Sequence, residues 1–507
     1  MPAPPGTRPR VGGRDHCRAV AGSSTPGYAL IRFLSVGAPL LTGLLLILPG
    51  PTPLQAQGFG VFEQSACALA RAGASVARPC DDGSAHYFNP AALADLPAPT
   101  LGFGAAMILA DGTFTDDYLG TRTELDSEDT AVPHAFFGMR LSDRISAGAG
   151  VYIPYALVSR WPRTFDGAFE GYGSKIETTY LQPTFAIDIT PRLAVGGGPV
   201  WAMGWMELSR FLDLSLQPLP SGIVPPGSLE ISTFGELGVP YRTPFADMKI
   251  RSERASGWGG HLGIRYRVRD GLDVGARYLT AIRLEYQATA EFERVPTGLR
   301  LPATIPIGSS ALPAGLQVDA LILGQFQEGR LLGTQGVETE MTMPSRLTVG
   351  VAWAPSEALL LLMDWERSGW SSFDEIPFRF EALQDQVRTE DFGDTHAFRA
   401  GAEYGIAEGW RLRAGWGVND AAAPDASVSP LFPEGTRNRL TAGVGWSHGD
   451  RMGLDVAWQL LLQDDRRGRT RAGPPVGGSA EVQPPSPDHG LYTFRGQSIA
   501  ATFTFRY

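Results

Sequence analysis

Cysteine is scarce, basic residues fall short of acidic ones, and long apolar runs are missing from most of the chain. Each shortage excludes something. With 43 Lys plus Arg against 53 Asp plus Glu, and a net charge of -10, the charge balance argues against a nucleic-acid binder. Three cysteines, at 17, 67 and 80, offer no zinc or haem spacing. After Gly58 no apolar run approaches the roughly 18 to 20 residues of a membrane-spanning helix. The sequence has no H-E-x-x-H, G-x-S-x-G or Walker motif, and no G-x-G-x-x-G that opens a helix, so catalysis is not suggested. His86, His134, His261, His396, His448 and His489 are scattered. Asp111, Asp116 and Asp117 read as a solvated acidic loop rather than a cation site. We therefore expect no metal and no cofactor.

What is present starts with an N-terminus of export type. Arg8, Arg10, Arg14, Arg18 and Arg32 precede an apolar stretch from Phe33 to Leu48, then Pro49, Gly50, Pro51 and Pro53. This reads as a secretory signal peptide over residues 1–57, cleaved near Ala56. Cys67 and Cys80 then remain in a compartment that permits disulfides; a bridge and a pair of free thiols packed in a plug are both open.

Past residue 98 apolar side chains alternate with small or polar ones. Trp410, Leu412, Ala414, Trp416 and Val418 share one face and Arg411, Arg413, Gly415 and Gly417 the other; Ile499, Ala501, Phe503, Phe505 and Tyr507 repeat the pattern at the end. A sandwich and a membrane barrel both alternate in this way. The connections separate the two. Six tight turns, near 142–144, 190–192, 269–271, 354–357, 407–409 and 448–450, alternate with seven long polar or Pro-rich stretches. Thirteen connections imply about 14 strands, with the short turns on one side and long loops on the other that a transmembrane antiparallel β-barrel shows. The predicted class is all-β. Tyr507 ends a strand able to pair with the first and leave no edge. Trp161, Trp201, Trp205, Trp353, Trp365, Trp416, Trp446 and Trp458 are expected in an interfacial aromatic girdle. Residues 98–507 form the expected barrel, and residues 58–97, small and Gly/Ala-rich, suit a plug inside the lumen.

The pattern Gly58-Phe59, Glu63, Arg71-Ala72-Gly73, Asp81-Asp82 and Asn89-Pro90-Ala91 resembles the plug, or hatch, of the FadL/TodX-type outer-membrane transporters of long-chain fatty acids and other hydrophobic compounds. The resemblance continues through Val151 to Tyr155, Met343 to Leu347, Asp364-Trp365-Glu366, Trp370 to Phe373 and Arg399 to Asn419. It implies a 14-stranded barrel with a lumenal hatch, an external apolar groove, a higher-affinity pocket, and lateral release into the bacterial outer membrane. The expected partners are a fatty acid or hydrocarbon ligand, outer-membrane lipid and lipopolysaccharide, and the barrel-assembly machinery during insertion.

On this reading Phe59, Asn89, Pro90 and Ala91 belong to the hatch and its gating. Pro154, which cannot donate to a sheet ladder, is the candidate kink for a lateral opening, unless it merely ends its strand. Leu214, Leu216, Leu321, Leu323 and Phe326 lie in two loops too apolar to stand freely in water; they form the collecting groove or pack on each other. Lumenal Arg277, Arg399, Arg411 and Arg413 are placed either to meet a carboxylate head group or to pair with Glu403 and Asp455. An outer-membrane adhesin or a lipid-active enzyme on the same scaffold is the rival function.

Overall fold

Alternation becomes a closed wall because each strand pairs with both neighbours and the last returns to the first. The computed structural model describes residues 58–117, 120–126, 129–219, 233–307, 310–468 and 490–507; the expected signal peptide lies outside them. Fourteen antiparallel strands close the barrel. They are β1 (Thr100–Asp116), β2 (Thr130–Arg140), β3 (Ile145–Arg160), β4 (Gly173–Thr190) and β5 (Leu193–Asp213). Then come β6 (Pro244–Ser252 and Ala255–Arg269), β7 (Leu272–Leu279 and Ile282–Arg294), β8 (Gln335–Met343 and Arg346–Trp353) and β9 (Leu359–Ser368 and Glu375–Phe380). The remainder are β10 (Thr395–Ala407), β11 (Trp410–Asn419), β12 (Arg437–His448), β13 (Met452–Gln463) and β14 (Gly490–Arg506). The seam between β1 and β14 runs from Thr100↔Arg506 to Asp116↔Gly490.

The outward face is apolar, as a wall solvated by lipid requires. Phe103, Met107, Phe185, Leu262, Met363, Leu412 and Ile499 are exposed. Trp353, Trp416, Trp446 and Trp458 are exposed too, whereas Trp161 is 1% exposed. This corrects the girdle expectation for Trp161, which stacks on Phe165 at 4.8 Å and donates its indole N–H to the Pro430 carbonyl at 3.1 Å. It sits just past the end of β3, where strand parity no longer dictates its side.

Residues 58–97 lie against inward-facing side chains. Ser65 caps helix α1 (Ala66–Ala70), and Gly73 at φ +81° follows its end. Helix α2 (Ala85–Phe88) runs into a 3₁₀ turn, Pro90–Asp95. A disulfide joins Cys67 to Cys80, with 6.3 Å between Cα atoms. The close approach depends on barrel glycines: a Cβ at Gly196 would lie 2.6 Å from the Pro90 carbonyl carbon, and one at Gly263 2.1 Å from Asn89 Oδ1.

Candidate functional site

One buried carboxylate and a ring of guanidiniums hold the N-terminal segment, residues 58–97, to the wall. Glu366 of β9 accepts from Arg277 at 3.0 Å, Arg399 at 3.1 Å and Thr348 at 2.8 Å. Beside it, Arg346 donates to the Tyr87 hydroxyl at 2.9 Å and to the Pro154 carbonyl at 3.2 Å. The Phe62 ring lies under three guanidinium carbons, those of Arg399, Arg439 and Arg346, at 4.2, 4.6 and 5.1 Å. Such stacking over a π face, shielded from water, favours both partners. Arg277 and Arg399 thus pair with Glu366, not with Glu403 or Asp455. Arg413 does meet both of those carboxylates, Arg71 of the N-terminal segment shares Glu403, and Arg411 comes within 3.5 Å of it. The missed participant is Phe62, whose only sequence signal is its place two residues past Gly60.

Asn89 accepts from Ala91 N–H at 3.1 Å and donates to the carbonyls of Val76 and Ile264 at 2.7 and 3.1 Å. It caps the 3₁₀ turn while tying the N-terminal segment to β6. Pro90 occupies the first position of that turn, and Ala91 is buried with Leu93, Ala94, Ala186 and Ala194. Asp364 accepts from the amides of Ser75 and Val76 at 2.7 and 2.9 Å. His86 donates from Nε2 to the Phe137 carbonyl at 2.9 Å; burial pushes its pKa down to about 4, against the raising effect of that bond. It is neutral at pH 7.

Beside Pro154 the wall changes partners. The register of β2 with β3 runs from Arg140↔Ser146 to Ala135↔Val151. Both strands continue, β2 to Thr130 and β3 to Arg160, and the described residues show no further ladder between them. On the other side of β3 the register with β4 shifts between Tyr152 and Tyr155. The N-terminal segment takes up the freed backbone: Val61 N–H donates to the Pro154 carbonyl at 2.9 Å and Ala156 N–H to the Phe59 carbonyl at 3.1 Å. Asp126 N–H meets the Arg160 carbonyl at 2.8 Å above the gap.

A chamber of about 190 Å³ opens at this place. Its apolar lining includes Phe59, Ile108, Leu157, Phe432, Leu461 and Phe494; its polar lining includes Glu63, Arg437, Arg439 and Gln459. Phe59 packs edge-on against Trp370 at 4.8 Å and Phe373 at 5.4 Å. At the hairpin end a larger cavity, about 510 Å³, has a charged lining that includes Arg78, Asp81, Asp273, Glu403, Arg413 and Arg506.

The two apolar loops meet each other. Leu214 is fully buried with Phe234, Phe245, Leu301, Val318 and Ile322, and Leu321 and Phe326 pack against this cluster. Leu216 and Leu323 remain exposed. Leu214 therefore presents no free surface to a ligand, because the opposite loop covers it; residues 220–232 of its own loop lie outside the described residues. Among the described residues no three His, Cys, Asp or Glu side chains converge to hold a metal.

A closed barrel with an apolar outer wall defines an outer-membrane protein. The sequence matches the model of the family described as outer membrane protein transport protein (OMPP1/FadL/TodX) over residues 50–483, and the chain belongs to that family. It is 22% identical over 406 residues, 79% of this chain and 85% of the relative, to the long-chain fatty acid transport protein of Escherichia coli O6:H1. The crystal structure of a Pseudomonas aeruginosa FadL homologue superposes with a TM-score of 0.72 at 17% identity, covering 89% of this chain and all of the other. That of the P. putida toluene transporter TodX gives 0.62 at 16% identity, covering 90% and 99%. Members of the family are outer-membrane transporters and channels rather than enzymes.

Proposed function

We propose that this barrel takes up hydrophobic small molecules, capturing them at the external loops, holding them in the chamber beside Phe59, and releasing them sideways through the wall at Pro154. The observation that supports this most is the interrupted β2–β3 ladder facing the chamber, filled by hatch main chain rather than by a neighbouring strand. A long-chain ligand gains about 0.8 kcal/mol per buried methylene, so passage into the charged cavity at the hairpin end is costly while passage into lipid is nearly neutral. The chamber's lining is mixed, with Arg437 and Arg439 among its apolar residues. That favours an apolar chain carrying a carboxylate over a plain hydrocarbon, since a guanidinium pairs well with a carboxylate. Gating belongs to the hatch, whose Phe59–Val61 segment must move aside for release.

The test bridges the gap. Cysteines at Thr130 and Leu157, which line the chamber from its two edges, are joined by a cleavable bifunctional maleimide in cells, and uptake of a labelled long-chain fatty acid is followed. Uptake should stop on linking and return on cleavage, at equal surface amount. Unchanged uptake in the linked protein would sink lateral release.

A further inference from the structure

Of the 43 basic residues only two, Lys175 and Lys249, are lysines, and the fold brings both to one depression on the outer wall. The register explains how. On one rung Arg160, Gly173, Ser209 and Lys249 stand side by side across β3, β4, β5 and β6; on the next stand Val158, Lys175, Glu207 and Arg251. Gly173 and Ser209 are small, so the centre of the upper rung is low and the long cationic side chains form its rim. The resulting cavity is about 350 Å³, and Arg163 joins its lining from the following loop. Among the described residues five cationic side chains meet three carboxylates: Asp126 in the lining, Glu207 paired with Arg251 at 3.1 Å, and Asp247 paired with Arg163 at 2.7 Å and with Lys249 at 3.9 Å. Among the described residues cationic side chains outnumber carboxylates there, on a chain whose net charge is -10.

Height on the wall gives this surplus a meaning. The hairpin turn between β4 and β5 lies at the opposite end of these strands, so the depression is on the long-loop, external side. Toward that turn the outward positions of β4 become Leu181, Pro183, Phe185 and Ile187, the lipid-facing band. Lys175 sits with its ammonium 5.3 Å from the centre of the Trp205 ring, and Trp201, further down, stacks on Trp258 at 6.1 Å. Aromatic rows of this kind mark the level where acyl chains end and head groups begin.

We propose that this depression binds the phosphate of an anionic glycolipid of the outer leaflet. Lysine ammoniums on flexible stems can follow a head group, while Arg160, Arg163 and Arg251 offer planar donors to phosphate oxygens. The acyl chains then lie along the apolar band below, continuous with the site. The inference rests on the outer-membrane position of the barrel and not on what it transports.

Having only two lysines makes the test direct. The full-length mature barrel in detergent is treated with an amine-acylating reagent, and modification of Lys175 and Lys249 is followed by peptide mass spectrometry. Bisphosphorylated lipid A should slow both rates about tenfold, given the attraction of even one or two surface cations for anionic lipid; dephosphorylated lipid A and inorganic phosphate at the same concentration should leave them unchanged. Copurifying glycolipid per barrel should fall by a similar factor in Lys175→Gln/Lys249→Gln and persist in Lys175→Arg/Lys249→Arg, both checked for intact barrel by circular dichroism. Unchanged acylation with phosphorylated lipid, equal slowing by dephosphorylated lipid or by inorganic phosphate, or full glycolipid retention in the Gln variant would each overturn the proposal.

Discussion

Replacing Asn89 tests what seats the proposed hatch. The side chain is fully buried and makes three hydrogen bonds, one as a cap acceptor from Ala91 N–H and two as a donor to the carbonyls of Val76 and Ile264. Asn89→Ala deletes all three. At about 1 kcal/mol net for each, the seated hatch loses roughly 3 kcal/mol, and the stranded carbonyls add to the loss. That is about a hundredfold in the opening equilibrium. Asn89→Asp separates the two roles. Asp is as good a cap as Asn, but its second oxygen faces the carbonyls of Val76 and Ile264 where a donor stood, and its charge is buried. Asp should therefore be worse than Ala, against the ranking of capping residues. Hydrogen exchange by mass spectrometry in micelles measures this: peptides covering 74–94 should exchange about a hundredfold faster in Ala and faster still in Asp, with barrel strands unaffected. If Asp behaves as wild type, Asn89 is a cap and nothing more; if Ala does, the reasoning fails outright.

Removing the Cys67–Cys80 bridge with Ser at both positions frees a loop whose ends are 13 residues apart, and the entropy of that closure predicts a hatch weaker by about 3 kcal/mol, read from the same peptides. His86 supplies a pH dependence of definite sign. Burial holds its pKa at about 4, below the ordinary histidine value of 6.5, so protonation favours the unseated segment; seating is fully stable above pH 6.5, weakens as the pH falls below it, and levels off near 4. His86→Gln should flatten that profile once the intrinsic pH dependence of exchange is divided out. In the external loops Leu214→Ser opens a hole in the cluster around Phe234 and should cost about 2 to 5 kcal/mol in loop stability, seen as faster proteolysis. Leu216→Ser with Leu323→Ser should leave proteolysis unchanged and reduce capture of a labelled fatty acid at low concentration. Equal uptake in that double variant and the wild type would remove the groove.

Much of this architecture is local, and so it was legible from the residues. Alternation such as Trp410 to Val418 depends only on the two-residue repeat of a strand, and a turn such as Ala407 to Gly409 only on its own backbone, with Gly409 at φ +76°. From these came the strand number, the apolar outer face and the alternation of short and long connections. The N-terminal pattern around Asn89-Pro90-Ala91 was legible for a like reason, since a cap followed by proline is written in consecutive residues.

Closure of the ring decided the rest, because it brings together residues whose distance along the chain carries no signal. Arg277, Thr348, Glu366 and Arg399 converge from four strands, and only their register shows that Glu366, rather than Glu403 or Asp455, receives Arg277 and Arg399. Nothing in the residues around Phe62 shows that three guanidiniums close over its ring. The loop leucines could be recognised as too apolar for water, but which of them faces solvent was settled by packing between segments about a hundred residues apart, with Leu214 covered and Leu323 left out. Lys175 and Lys249 likewise became neighbours only through β5. Composition and periodicity are sums over local backbone preferences; a pair, a cage or a depression is a property of register and closure, and these exist only in the folded barrel.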